Sequence, residues 1–174
     1  MTRKEYLECL NFELYRGRKV SFLNKIRTKY FQPNTNCVFL CRKMWYLYGK
    51  GNKLFAKLLY LKIIKKYSCV IYPNAVVGRG FEIAHPTGIV IGKCKIGDNF
   101  TCYQNTTIGV KNTGDEAKGK TPVIGNNCKL CSGAVIVGDV QICDNVVIGA
   151  LSFVSKSIND PGIYVGTPTK KVNK

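Results

Sequence analysis

From residue 69 onward, aliphatic side chains recur at every sixth position. Ile71, Val77, Ile83 and Ile89 head a first run, and Ile96, Cys102 and Ile108 a second. The longest run is Ile124, Leu130, Ile136, Ile142, Ile148 and Val154, six heads in uninterrupted register. Four residues after the heads lies a second position, usually small or apolar: Ala75, Phe81, Thr87, Phe100, Thr106, Cys128, Ala134, Val140, Val146 and Ser152. Gly, Asp and Asn cluster after the heads, as in Ile96-Gly97-Asp98-Asn99. An α-helix would need a period of 3.6 and an ordinary half-buried strand a period of 2. A fixed six-residue repeat predicts a parallel β-helix instead. Each hexapeptide supplies one short strand and one turn, and three of them make a triangular coil. A single coil cannot bury its apolar side, so coils stack into a continuous core. Stacked parallel strands also satisfy one another's backbone groups.

Two interruptions break the period. The seven-residue spacing from Ile89 to Ile96 reads as a local slip. The sixteen-residue spacing from Ile108 to Ile124 contains the polar, Gly-rich string GVKNTGDEAKGKTP. That string predicts a loop extruded from the coil at about residues 109–122. Loops held by a rigid scaffold often carry binding sites.

The first 68 residues have a different pattern. Asn52 to Lys66 places Leu54, Phe55, Leu58, Leu59 and Leu61 or Ile63 mostly on one helical side, with lysines 53, 57, 62, 65 and 66 around the rest. Residues 2–16 predict another helix, ended at Gly17. A basic amphipathic helix either lies on a membrane surface or packs its apolar side on the next element. The expected organisation is a basic α-helical segment at 1–68, a mainly β solenoid at 69–160 and a C-terminal tail at 161–174.

Charge sharpens this division. The formal net charge is +17. Residues 1–68 hold 16 Lys/Arg against three acids, a net +13, and residues 69–174 hold 11 against seven, a net +4. Such asymmetry points to an anionic contact or to a solvated basic face. No 18-residue apolar stretch is present, which argues against a membrane span. The N-terminus lacks the apolar core of a secretory signal. The nine cysteines are odd in number and scattered, which fits reduced thiols in a cytoplasmic protein, either free or at the inner face of the membrane. Cys128-Lys129-Leu130-Cys131 lacks the two further ligands of a zinc site, and the chain has one histidine, so no metal is expected. The sequon at Asn105 lies inside a repeat and is discounted.

Residues 69–170 resemble the serine acetyltransferase branch of the hexapeptide-repeat acetyltransferases. The resemblance rests on VVGRGFEIAHPTGIVIG, KIGDNFTCYQNTTIG, the loop, PVIGNN and VGTPTKKV, in that order along the chain. It implies a left-handed parallel β-helix, an exception to the usual right-handed crossover. It also implies a homotrimer with acetyl-CoA, as co-substrate, in the groove between subunits. Serine-specific members have Asp-His where this chain has Ala84-His85, an Asp near Val70, and a second His near Lys120–Thr121. Those differences and the short N-terminal segment resemble acetyltransferases of surface-polysaccharide synthesis, the colanic-acid type. A sugar or polysaccharide-precursor hydroxyl is therefore the expected acceptor, with L-serine as the alternative. A non-catalytic scaffold for an anionic partner is a third reading; nucleic acid is not expected.

His85 is the only histidine and stands in the family's catalytic slot. Imidazole titrates near neutrality and suits a general base for a hydroxyl. Two residues after their heads, His85, Gln104, Ser132 and Ala150 are expected to form a column if Ile83, Cys102, Leu130 and Ile148 stack. Ala84 and Gln104 are candidate acceptor contacts. The resemblance places Gly109, Ser132, Gly133 and Ala150 along the CoA groove. It places Thr167 and Lys170 near the adenine and phosphates, and implies that the Gly109 amide faces a developing oxyanion. Leu151 replaces a glycine common in the family.

Overall fold

A computed structural model of the chain describes residues 2–172. Four α-helices come first: α1 (Arg3–Tyr15), α2 (Phe22–Ile26), α3 (Pro33–Gly49) and α4 (Lys53–Tyr67), with a π-helical turn at Arg27–Phe31. Fifteen short strands follow. The first six are β1 (Val70–Ile71), β2 (Val76–Val77), β3 (Glu82–Ile83), β4 (Val90–Ile91), β5 (Lys95–Ile96) and β6 (Thr101–Cys102). Next come β7 (Thr107–Gly109), β8 (Val123–Ile124), β9 (Lys129–Leu130), β10 (Val135–Val137), β11 (Gln141–Ile142) and β12 (Val146–Ile148). The last three are β13 (Phe153–Val154), β14 (Gly162–Val165) and β15 (Lys170–Val172).

Every third strand pairs. The first face of the prism is β1-β4-β7-β10-β13, the second is β2-β5-β8-β11, and the third is β3-β6-β9-β12-β14 with β15 at its edge. All pairings are parallel except β14 with β15. The chain is thus a triangular parallel β-helix of hexapeptide repeats behind a helical segment. Its second face ends in a bridge from Ile142 to Ile158. The solenoid continues past residue 160, because β14 extends the third face and β15 folds back on it.

Heads on each face stack on one another. Val77, Ile96, Ile124 and Ile142 fill the second face, and Ile83, Cys102, Leu130 and Ile148 the third. On the first face the stack is Ile71, Ile91, Ile108, Ile136 and Val154. Ile91, not Ile89, is therefore the head of its repeat. The spacing from Ile83 to Ile91 is eight, and from Ile91 to Ile96 five. The expected seven-residue slip is in fact a two-residue expansion at the corner that holds His85, followed by a one-residue deficit. Ile89 is also fully buried, two residues before its head like Phe81 and Phe100. Period alone could not distinguish the two isoleucines. Thr87, expected at the second position, is exposed.

The turns between the second and third faces are held by a polar ladder. The Asp98 carboxylate accepts from the Arg79 amide, the Asn126 side-chain Oδ1 from the Asp98 amide, and the Asp144 carboxylate from the Asn126 amide, all at 2.7–2.8 Å. Gly78, Gly97 and Gly125 let these side chains approach: a Cβ at any of them would lie within 2.5 Å of the capping oxygen. Asn99, Asn127 and Asn145 take left-handed φ beside it and link their side-chain amides.

The helical segment caps the first coil. α3 is its buried centre, with Cys37, Val38, Phe39, Leu40, Cys41, Met44 and Trp45 in the core. Pro33 starts it, since the first turn of a helix needs no amide donor there. A buried ion pair joins helices to solenoid. Arg42 donates to Glu13 at 2.5 and 3.1 Å, and to the carbonyls of Val77 and Gly78 at 2.9 and 2.7 Å. The Glu13 carboxylate also accepts from the amides of Gly80 and Phe81. Side-chain exposure is 3% for Arg42 and 0% for Glu13. Burial pushes the Glu13 carboxyl up from its ordinary value, against the opposing pull of Arg42 and the two amides.

α4 packs differently from its sequence pattern. Ala56, Ile63 and Tyr67 face the core, while Leu54, Phe55, Leu58 and Leu61 point outward. No helix among the described residues is long and apolar enough to cross a membrane.

Candidate active site

The corner between the third and first faces carries most of the expected site residues. Its backbone pairing is regular: the Asn105 amide donates to the Thr87 carbonyl, that of Gly133 to Gln104, and that of Leu151 to Ser132. Gly88, Asn105, Gly133 and Leu151 all take left-handed φ there, between 56° and 68°. The column is therefore Thr87, Gln104, Ser132 and Ala150. The expected column with His85 at its head is corrected. His85 and Pro86 are the two inserted residues and form a bulge just above the column.

His85 lies in the bulge, is exposed, and is turned by a 2.9 Å bond from the Thr87 amide to its carbonyl. Its ring meets the Tyr103 ring edge-on, with centroids 6.2 Å apart. Tyr103 lies directly below Ala84, because the Ala84 amide bonds Cys102 and the Tyr103 amide bonds Leu130. Sequence reasoning missed Tyr103. Its signal was the residue after the head in the repeat below Ala84. Among the described residues no hydrogen bond to the His85 ring is present. Glu82, three residues before it, is bonded to Arg16 at 2.6 Å.

Gln104 is half-buried, and its Oε1 is enclosed without a hydrogen-bond partner. A buried acceptor left alone is costly, so this atom is suited to a donor from outside the chain. Ser132 and Ala150 continue the column below it. Gly133 is screened by Leu151, whose Cδ2 lies 2.6 Å from where a Gly133 Cβ would be. Leu151 is 79% exposed and holds a φ of 56°, which a glycine would adopt without strain. The hairpin turn after β14 closes the column: the Gly166 amide bonds Ser152, and the Phe153 amide bonds the Gly166 carbonyl. Thr167 follows in that turn, and Lys170 opens β15; both are exposed. With coils about 4.8 Å apart, the edge from Thr87 to Gly166 spans roughly 20 Å.

Gly109 is not on this edge. It ends β7 at the far side of the first face, where the loop of residues 110–122 begins. A Cβ there would meet nothing within 4 Å. The loop folds back on the solenoid: Glu116 accepts from the Asn74 side chain at 2.8 Å, and Lys93 donates to its carbonyl.

A cavity of about 140 Å³ opens beside β3, between the helices and the first coil. Glu13, Arg16, Asn34, Thr35, Phe81 and Glu82 line it. It thus presents both charges next to the strand that leads into His85. Burial pushes the Cys102 thiol well above its usual range, and Cys128 is also raised. No group of three or more His, Cys, Asp or Glu able to hold a metal occurs among the described residues.

Residues 121–156 match the family model "Bacterial transferase hexapeptide (six repeats)". The chain is 39% identical over 124 residues to the serine acetyltransferase of Staphylococcus xylosus, covering 70% of this chain and 56% of that protein. It is 42% identical over 99 residues to the Staphylococcus aureus serine acetyltransferase, covering 56% of this chain and 46% of the relative. The chain thus spans about half the length of these relatives. Among solved structures, Neisseria gonorrhoeae serine acetyltransferase superposes with a TM-score of 0.82 at 26% identity, over 99% of this chain and 68% of that one. A serine acetyltransferase in complex with CoA shares the fold, with a TM-score of 0.80 at 22% identity, over 98% of this chain and 71% of that one. The similarity therefore includes the helical segment as well as the solenoid. The resemblance to polysaccharide acetyltransferases finds no support in these similarities, which favour the serine branch.

Proposed function

We propose that the chain is an acetyl-CoA-dependent O-acetyltransferase with His85 as its general base. The observation that carries this is the two-residue bulge. It lifts the single histidine clear of an otherwise regular corner, above a column of polar and small residues with one enclosed, unpartnered acceptor at Gln104. His85 takes the proton of the acceptor hydroxyl as its oxygen attacks the thioester carbonyl carbon. The carbon–sulfur bond then breaks and CoA leaves as the thiolate, which recovers a proton from the imidazolium. A positioned base of this kind contributes about 10²–10⁴-fold. No acyl-enzyme forms, in keeping with the buried, raised thiol of Cys102.

Ser132, Gly133 and Ala150, with Thr167 and Lys170 at the far end, would line the edge along which the pantetheine arm and phosphates lie. Gly109 would reach that arm from a second subunit, because it stands on a different edge of the prism. This requires a neighbouring copy of the chain, which a homotrimer would supply at every edge. The outward column of the first face, Val70, Val90, Thr107, Val135 and Phe153, is apolar enough to pack against another copy. The nine thiols suit a reducing, cytoplasmic setting.

L-Serine is the acceptor favoured by the relatives' names, ahead of the sugar hydroxyl expected from the sequence. Arg16 and Glu82 line the cavity beside β3 but are paired with each other at 2.6 Å, so a zwitterion would enter there only by displacing that pair. One observation favours the sugar as a second reading: Ala84 precedes His85 and brings no carboxylate to the acceptor. CoA release from acetyl-CoA, measured across L-serine, free sugars and nucleotide sugars, tests both. Release with serine alone supports the first reading and release with a sugar alone the second. Release with none would count against the proposed activity.

A further inference from the structure

We propose that the outer face of α4 docks on an anionic phospholipid bilayer. The helix is apolar on two sides. Its inner side, Ala56, Ile63 and Tyr67, is spent on the core. Its outer side leaves Leu54, Phe55, Leu58 and Leu61 at 66%, 56%, 53% and 40% exposure. Leu54, Leu58 and Leu61 follow an i, i+4, i+7 spacing and so form one stripe. Lys57 and Lys62 flank that stripe on its two sides, and Lys65, eleven residues after Leu54, continues it by a further turn. Exposed aliphatics within a rim of lysines are the pattern of a helix lying in the membrane interface.

The surroundings extend the face. A groove between the π-helical turn and α4 is lined by Tyr30, Phe39, Lys43, Leu59, Lys62 and Lys66. It shares Lys62 and Lys66 with the shallow hollow formed around Leu58 and Leu61. Cationic and aromatic walls of this kind accept a phosphate headgroup. Phe31, next to Tyr30 in the π-helical turn, is 76% exposed.

Charge selects the occupant. Between Glu13 and Glu82 the sequence contains no acidic residue at all. A second copy placed on this face would set lysines against lysines without a counter-charge. A nucleic acid would satisfy the lysines but leave the leucine stripe in water. An anionic bilayer answers both features, because lysines near its surface are attracted while the leucines enter the acyl boundary.

The test is flotation of the full chain with vesicles of phosphatidylcholine alone, and with phosphatidylglycerol added. Binding is expected to the second only, and to be lost near about 1 M salt, where the Debye length falls to about 3 Å. The triple variant Lys57→Gln, Lys62→Gln, Lys65→Gln should lower the partition coefficient on the order of 100-fold. Leu54→Ser, Leu58→Ser, Leu61→Ser should lower it more than about tenfold. No binding to the anionic vesicles, equal binding to neutral ones, or parent-like binding by both variants would overturn the proposal. Sedimentation without lipid closes the other route: an assembly that the leucine variant dissociates would make this face a contact between copies. Acetyl transfer to a soluble acceptor should be unchanged in both variants, so this proposal and the enzymatic one fail separately.

Discussion

The solenoid and the helical segment use similar aliphatic side chains to opposite ends. In the solenoid, heads from Ile71 to Val154 are buried to 9% exposure or less, each stacked on its counterpart one coil away. In α4, four large apolar residues stand in solvent while a small one, Ala56, is fully buried. The difference lies in what fixes the direction of a side chain. Cross-coil pairing dictates which residue of each hexapeptide points inward. A helix dictates only an angular spacing, and the neighbour it meets decides which side is covered. Hydrophobicity alone therefore locates the core in a solenoid and misplaces it in a two-sided helix.

The largest expected stability effect lies where the two regions join. Glu13→Ala leaves the buried Arg42 guanidinium without its counter-ion, and should cost about 3–5 kcal/mol in denaturant unfolding. If the helices are only loosely attached, the loss will be confined to a separate early transition, which far-UV circular dichroism would resolve. Ile136→Ala, at the centre of the first face, should cost about 2–5 kcal/mol, because its neighbours are pinned by coil pairing and cannot collapse into the cavity.

Smaller effects sharpen the comparison further. Leu151→Gly relieves a left-handed φ in a non-glycine residue and should stabilise by at most about 1 kcal/mol, read as a raised denaturation midpoint. Leu58→Ser on the outer side of α4 should change stability by no more than about 0.5 kcal/mol. A loss there as large as that of Ile136→Ala would mean that the outer stripe belongs to a protein core, and would remove the contrast.

Much of the solenoid was legible in the sequence because its period is discrete. The six heads from Ile124 to Val154 sit where the repeat put them, and the polar string after Ile108 leaves the coil as a loop. The exchange of Ile89 for Ile91 shows the limit. Both isoleucines point inward, and only pairing with Ile71 and Ile108 identifies the head. That exchange hid the expansion that sets His85 apart from Gln104, Ser132 and Ala150. α3 was not anticipated, because it is buried on nearly all sides and its apolar run has no periodic polar face. Tyr103 became visible only once Ala84 and Tyr103 were found one above the other. For the site, the sequence pointed to the histidine and its corner, but the bulge geometry and the charged cavity beside β3 depend on contacts across coils and helices.

The central claim is that the solenoid corner holds a base. CoA release by His85→Ala, measured with the acceptor that the parent protein uses, tests it most directly. His85 is exposed, so the variant should keep the parent's unfolding midpoint. Transfer is expected to fall about 10²–10⁴-fold while CoA binding is retained. A variant that folds, binds CoA and transfers acetyl at the parent's rate would contradict the account.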